Sequence, residues 1–146
     1  MKKRSFDDPR LLRRLAVLLG IAACLTGSPL AGEERNPLRE EMAGLDLALK
    51  GIIEAVVLED MNLIPPALEK AREGREKREG AIKAGFAVRL PKNPNRMEEF
   101  SILNRKLQID LLELGRVAET GQKRVVRNHA HRLLDTCVAC HEKFRK

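Results

Sequence analysis

From residue 36 onward, apolar side chains recur at alternating steps of three and four. Leu38, Met42, Leu45, Leu49, Ile52 and Val56 form the first such stripe, the seam of a helix that buries one face. Asn36 and Pro37 stand ahead of it as N-cap and first helical residue, and the pattern ends near Asn62. Pro65 and Pro66 open a second helix that runs to about Lys83. Its middle, AREGREKREG, is polar throughout and carries two glycines, so it is expected to be the least stable helix. The stretch AGFAVRLPKNPN has no period and reads as one long irregular connection. Asn95 is placed to cap a third helix, with Glu98 completing a capping box. The inner face of that helix is Phe100, Leu103, Leu107, Leu111, Leu114 and Ala118, and Thr120-Gly121 stops it. A fourth helix runs from about Gln122 almost to Lys146, with Val126, His129, Leu133, Cys137, Cys140 and Phe144 as its stripe. Mostly short connections favour an antiparallel up-down-up-down four-helix bundle over residues 36–146.

Composition points the same way. The chain has 146 residues, enough for one domain, with no Trp, no Tyr and only four Phe. Leu, Ala, Glu, Lys and Arg dominate, so the expected fold class is all-α. The formal charge of +7 does not indicate a nucleic-acid partner. Residues 1–23 hold six basic and two acidic groups; 28 less six leaves 22 basic, and 21 less two leaves 19 acidic, a net of +3. The rest of the charge is mixed in sign and has no basic stripe interleaved with aromatics.

The N-terminal stretch has a separate role. MKKRSFDDPRLLRR is basic, and the apolar run LAVLLGIAACL after it is about ten residues long, half of the roughly twenty a membrane span needs. This is the form of an export signal over residues 1–23. Ala31, with Pro29 nearby, is a poor cleavage site, whereas Ile21-Ala22-Ala23-Cys24 resembles the bacterial lipobox. That resemblance implies a lipid anchor on Cys24 and a polar tether over 24–35; the alternative is that Cys24 is discarded with the signal.

The chemistry sits at the far end, in DTCVACHEKFRK. Residues at i, i+3 and i+4 share a helix face, so Cys137, Cys140 and His141 point at one patch of the bundle interior. C-x-x-C-H is the attachment signature of c-type haem. Two thiols at this spacing reach the two vinyl groups of one porphyrin edge, and the next histidine lies beneath the iron as an axial ligand. A zinc site would need two more ligands from His129 and His131. His129 lies eight residues before Cys137, about 12 Å along the same helix, so the fourth helix would have to break. A thioredoxin-like redox pair would need a strand-to-helix context that the pattern lacks. No nucleophile–base pair, phosphate loop or carboxylate pair suggests an enzyme.

The segment C-V-A-C-H-E-K-F-R-K, ending a four-helix pattern, resembles the tail of the class II c-type cytochromes, the cytochrome c-prime group. The resemblance covers residues 36–146. It implies one haem bound covalently at Cys137 and Cys140, iron ligation by His141, and export to the periplasm. It also makes the sixth iron position decisive. Low-spin members fill it with a methionine from the first helix and carry electrons between periplasmic or membrane redox proteins. High-spin members leave it open and bind nitric oxide or carbon monoxide. The matching residue here is Met42, with Met97 as the substitute. Met61, roughly 28 Å further along the helix axis, is too distant. Arg39 matches an arginine that meets a haem propionate, Phe86 and Leu90 are expected to wall the pocket, and a homodimer is a further expectation from the family. His129 is read as a histidine satisfied by its surroundings, and Phe144 as core.

Overall fold

In the computed structural model, residues 36–145 are described. The expected export signal (1–23), the lipidation at Cys24 and the tether over 24–35 lie outside the described residues. Among the described residues there are four α-helices and no strand, an all-α arrangement compatible with a helical bundle. The helices are α1 (Pro37–Leu58), α2 (Ile64–Lys83), α3 (Met97–Glu119) and α4 (Lys123–Phe144), with a 3-10 turn at Met61–Leu63 between the first two. No described helix is long and apolar enough to cross a membrane.

The helix ends follow local chemistry. Asn36 caps α1, its side-chain oxygen accepting from the Leu38 N–H at 3.2 Å, and Pro37 follows at the first position. α1 ends at Leu58, four residues before Asn62, because Glu59 takes the left-handed conformation (φ 54°). Asp60 then caps the 3-10 turn through Asn62 N–H at 3.0 Å. The expected Asn95–Glu98 capping box does not form. Asn93 is left-handed (φ 54°) and its carbonyl accepts from Arg96 N–H at 3.0 Å, so the turn closes later. Arg96 becomes the N-cap of α3, with no side-chain cap bond.

α1 uses two faces where the periodicity indicates one. Gly44, Ala48 and Ala55 are buried against α2, while Met42, Leu45 and Leu49 are only half-buried. A methyl group on Gly44 would lie 2.6 Å from the Lys70 carbonyl oxygen and 2.7 Å from Gly74 Cα; one on Gly51 would lie 2.8 Å from Ala67 Cβ. Gly74 in the polar α2 is therefore a contact residue, and its propensity cost accompanies a close helix–helix approach. Gly80 has nothing within 4 Å of its missing methyl. Gly44→Ala is expected to lower unfolding free energy by about 1–3 kcal/mol through overpacking, despite a helix-propensity gain of up to ~1 kcal/mol. Gly80→Ala is expected to raise it by ~0.5–1 kcal/mol. Urea unfolding of the two variants checks both signs.

The core is divided. A main cluster includes Ile52, Ile64, Leu114, Val126 and Leu133, all at most 2% exposed. A smaller one joins Leu38, Leu90, Phe100 and Phe144, with Met42, Leu103 and Cys140 packed against it. Phe100 and Phe144 meet edge to face, with ring centroids 5.6 Å apart.

Candidate functional site

The smaller cluster sits where the start of α1, the start of α3 and the end of α4 converge, and the irregular connection fastens them. Lys92 N–H donates to the Phe144 carbonyl at 3.2 Å, Lys92 Nζ to that of Glu142 at 3.0 Å, and Asn93 Nδ2 to that of Lys143 at 2.7 Å. These bonds satisfy carbonyls that the end of a helix leaves without partners. At the other end of the connection, Asn36 Nδ2 donates to the Arg89 carbonyl at 2.6 Å, and Arg89 N–H returns a bond to Asn36 Oδ1 at 3.2 Å. Lys143 also bonds Glu99, and that bond, together with the nearby Arg96, holds the Glu99 carboxyl below its usual range.

Beside this cluster lies a cavity of about 630 Å³, within the ~300–1,000 Å³ typical of small-molecule and cofactor sites. α1 contributes Leu38, Arg39, Met42, Leu45 and Leu49; α3 contributes Phe100, Leu103, Asn104 and Leu107; α4 contributes Thr136, Cys137, Cys140, His141 and Phe144. Cys137, Cys140, His141, Met42 and Arg39 thus line one cavity, although nearly a hundred residues separate the two groups in the chain. Of the described methionines only Met42 is among its lining residues. Met97 is 37% exposed at the start of α3, and Met61 lines a separate cavity of about 770 Å³ between α2 and α3. That second cavity has neither cysteine nor histidine in its wall. Pro91 lines the first cavity, Leu90 is buried in the cluster behind it, and Phe86, 38% exposed, is not among its lining residues. His129 is half-buried, with Arg132 Nη2 2.7 Å from its Nδ1.

Cys137 and Cys140 are half-buried free thiols. Burial pushes the Cys137 thiol above its usual range, and the Asp110 charge adds to this. Cys140 is raised by burial first, then by Cys137 and Glu41, with Lys143 opposing. Both sulfurs are therefore protonated at neutral pH. Burial of part of its ring, then the charge of Arg145, lowers the His141 pKa below 6.5. Its imidazole is neutral at pH 7 and has a nitrogen lone pair available. α4 is continuous from Lys123 to Phe144, so His129 stays two turns from Cys137. Among the described residues, no three His, Cys, Asp or Glu side chains are grouped to hold a metal ion.

Three polar residues at the site do not show in the apolar pattern. Thr136 is 5% exposed and donates to Asp110 Oδ2 at 2.9 Å. Asn104 lines the cavity and donates to Glu41, which is 0% exposed beside Met42. The only sequence signal for Glu41 is its register with Gly44, Ala48 and Ala55, the face of α1 that meets α2. Comparison with protein-family models, with curated proteins and with solved structures finds no match to this chain.

Proposed function

We propose that the chain is a monohaem c-type cytochrome that carries electrons by Fe(II)/Fe(III) cycling, with His141 and Met42 as axial ligands. The observation that carries this is that the C-x-x-C-H residues of α4 and Met42 of α1 line one and the same cavity. In this reading the four helices form an antiparallel up-down-up-down bundle. Gly44 beside Gly74 and Gly51 beside Ala67 support it, since the paired positions run in opposite directions along α1 and α2, and Lys143 late in α4 meets Glu99 early in α3.

The side chains suit a covalently held porphyrin in volume and in chemistry. Cys137 and Cys140, protonated and one turn apart, would hold it by adding their S–H groups across its two vinyl groups. Raised thiol pKa values are the reverse of what a redox-active pair requires. His141 would supply a neutral nitrogen to the iron and Met42 a soft thioether donor, both from the wall of the cavity. Arg39, exposed at the cavity, would pair with a propionate. Leu38, Leu45, Leu49, Leu103, Leu107 and Phe100 exclude water from the site. When bound, the haem supplies the one-electron couple. Residues 1–23 direct export to the periplasm, Cys24 carries a lipid anchor, and the tether over 24–35 brings the domain to membrane or periplasmic redox partners.

The test is expression of the full chain in an export-competent bacterium that attaches c-type haem, followed by a denaturing gel stained for peroxidase activity. The stain is expected to follow the polypeptide; a colourless chain with two titratable thiols would overturn the proposal. Exposing the reduced holoprotein to carbon monoxide then separates the two haem readings. Little binding is expected with Met42 on the iron. Rapid binding to a high-spin iron would make the chain a five-coordinate gas-binding protein.

A further inference from the structure

Among the described residues, one acidic side chain is fully buried: Glu41, at 0% exposed. It stands one residue before Met42 on α1 and turns away from the cavity, toward α2 and α3. Its Oε2 accepts from Arg78 Nη1 at 3.0 Å and from Asn104 Nδ2 at 3.3 Å, and its Oε1 from Gln108 Nε2 at 3.4 Å. Asn104 is itself part of the cavity wall, whereas Arg78 is not among the lining residues. The carboxylate therefore lies one side chain behind the wall, paired with an arginine whose side chain is 23% exposed. Its charge reaches the Cys140 thiol, which it helps to push upward after burial and Cys137.

Stability is a weak reason for such a pair. Removing two charges from water costs several kcal/mol, and well-packed apolar replacements are often neutral or better. Here even the pairing is incomplete, because Arg78 Nε is buried without a hydrogen-bond partner. A fixed charge in a low-dielectric interior does, however, act strongly on charge changes nearby. One-electron oxidation adds a positive charge in the cavity, and a negative charge behind the wall favours it.

Resting on the haem reading above, we propose that Glu41 is a positioning residue for redox poise. Its buried carboxylate, held by Arg78, Asn104 and Gln108, stabilises the ferric state of a haem in the cavity. The test is redox titration of holoprotein variants of the full chain. Glu41→Gln is expected to shift the Fe(II)/Fe(III) ratio about tenfold toward ferrous, a midpoint rise of about 59 mV for one electron. Arg78→Gln removes the neutralising cation and is expected to lower the midpoint. The double variant leaves no unpaired buried charge, which protects its folding, and its midpoint is expected between those of Glu41→Gln and the parent. Loosened packing alone would move both single variants in the same direction. Any order other than Glu41→Gln, double variant, parent, Arg78→Gln, from highest to lowest, overturns the inference. A parent chain without haem overturns the haem reading and this inference together; a haem-loaded parent with the wrong order overturns this inference alone.

Discussion

A chain carrying Cys137→Ala and Cys140→Ala together is expected to retain no covalent haem and to lose a large part of its stability at one end. The reason lies in the divided core. The main cluster centres on Ile52, Ile64, Leu114 and Val126, none of which lines the cavity, and it meets the cavity through Leu45, Leu107 and Cys137. The smaller cluster has four buried residues, Leu38, Leu90, Phe100 and Phe144. Beside it, Met42, Leu45, Leu49 and Leu103 are half-buried around about 630 Å³. A ligand present at a hundred times its dissociation constant stabilises the folded state by about 2.7 kcal/mol, and a covalent tether keeps the local concentration at least that high. For a domain of this size that is about 10 °C in Tm. Hydrogen exchange is expected to localise the loss. Amides at the start of α1, around Phe100 and after Cys137 lose protection, while those near Ile52 and Leu114 keep theirs. Neither alanine adds a charge or much strain to α4, so Ile52 and Leu114, which do not line the cavity, serve as a built-in control. A double variant with the parent's Tm and exchange pattern would mean that the two thiols hold nothing in the folded protein.

The sequence makes the C-x-x-C-H end legible because its message is short-range. Three residues on one helix face need only helical geometry to converge. Met42, on another helix, lines the same cavity as the end of α4. What stays hidden depends on contacts between helices. The stripe Leu38–Met42–Leu45–Leu49 marks the face of α1 toward the cavity. Gly44, Ala48 and Ala55 mark a second, tighter face toward α2, which an apolar count overlooks because small residues score low. Arg78 reads as a solvated charge within AREGREKREG, and only the close packing at Gly74 brings its helix near enough to bury Glu41. The start of α3 departs from its capping signature because Asn93 bonds the end of α4, a tertiary contact that overrides the local pattern. The same contact fastens the thirteen-residue connection over 84–96 beside the site.

Replacing Met42 by leucine is expected to change the iron without changing the fold. Met and Leu are close in volume, so the exchange costs less than ~1.5 kcal/mol even in a packed site, and Met42 is only half-buried. Any large spectroscopic change is then attributable to the sulfur. With the thioether on the iron, the parent is low-spin and slow to bind carbon monoxide. Met42→Leu is expected to be high-spin when oxidised, to lose the sulfur-to-iron charge-transfer band and to bind carbon monoxide readily when reduced. A soft thioether favours the ferrous state, so its loss is expected to lower the midpoint by at least a tenfold change in the ferric-to-ferrous ratio, about 59 mV. Met97→Leu is the matched control: it removes the same sulfur from a residue that is 37% exposed and outside the cavity lining, and it is expected to leave spectrum and midpoint alone. The direction also separates this effect from that of Glu41→Gln, which raises the midpoint while keeping the low-spin spectrum. If Met42→Leu leaves both spin state and carbon monoxide binding as they were, Met42 only packs against the haem, and the parent's own response to carbon monoxide then decides between an electron carrier and a gas-binding protein.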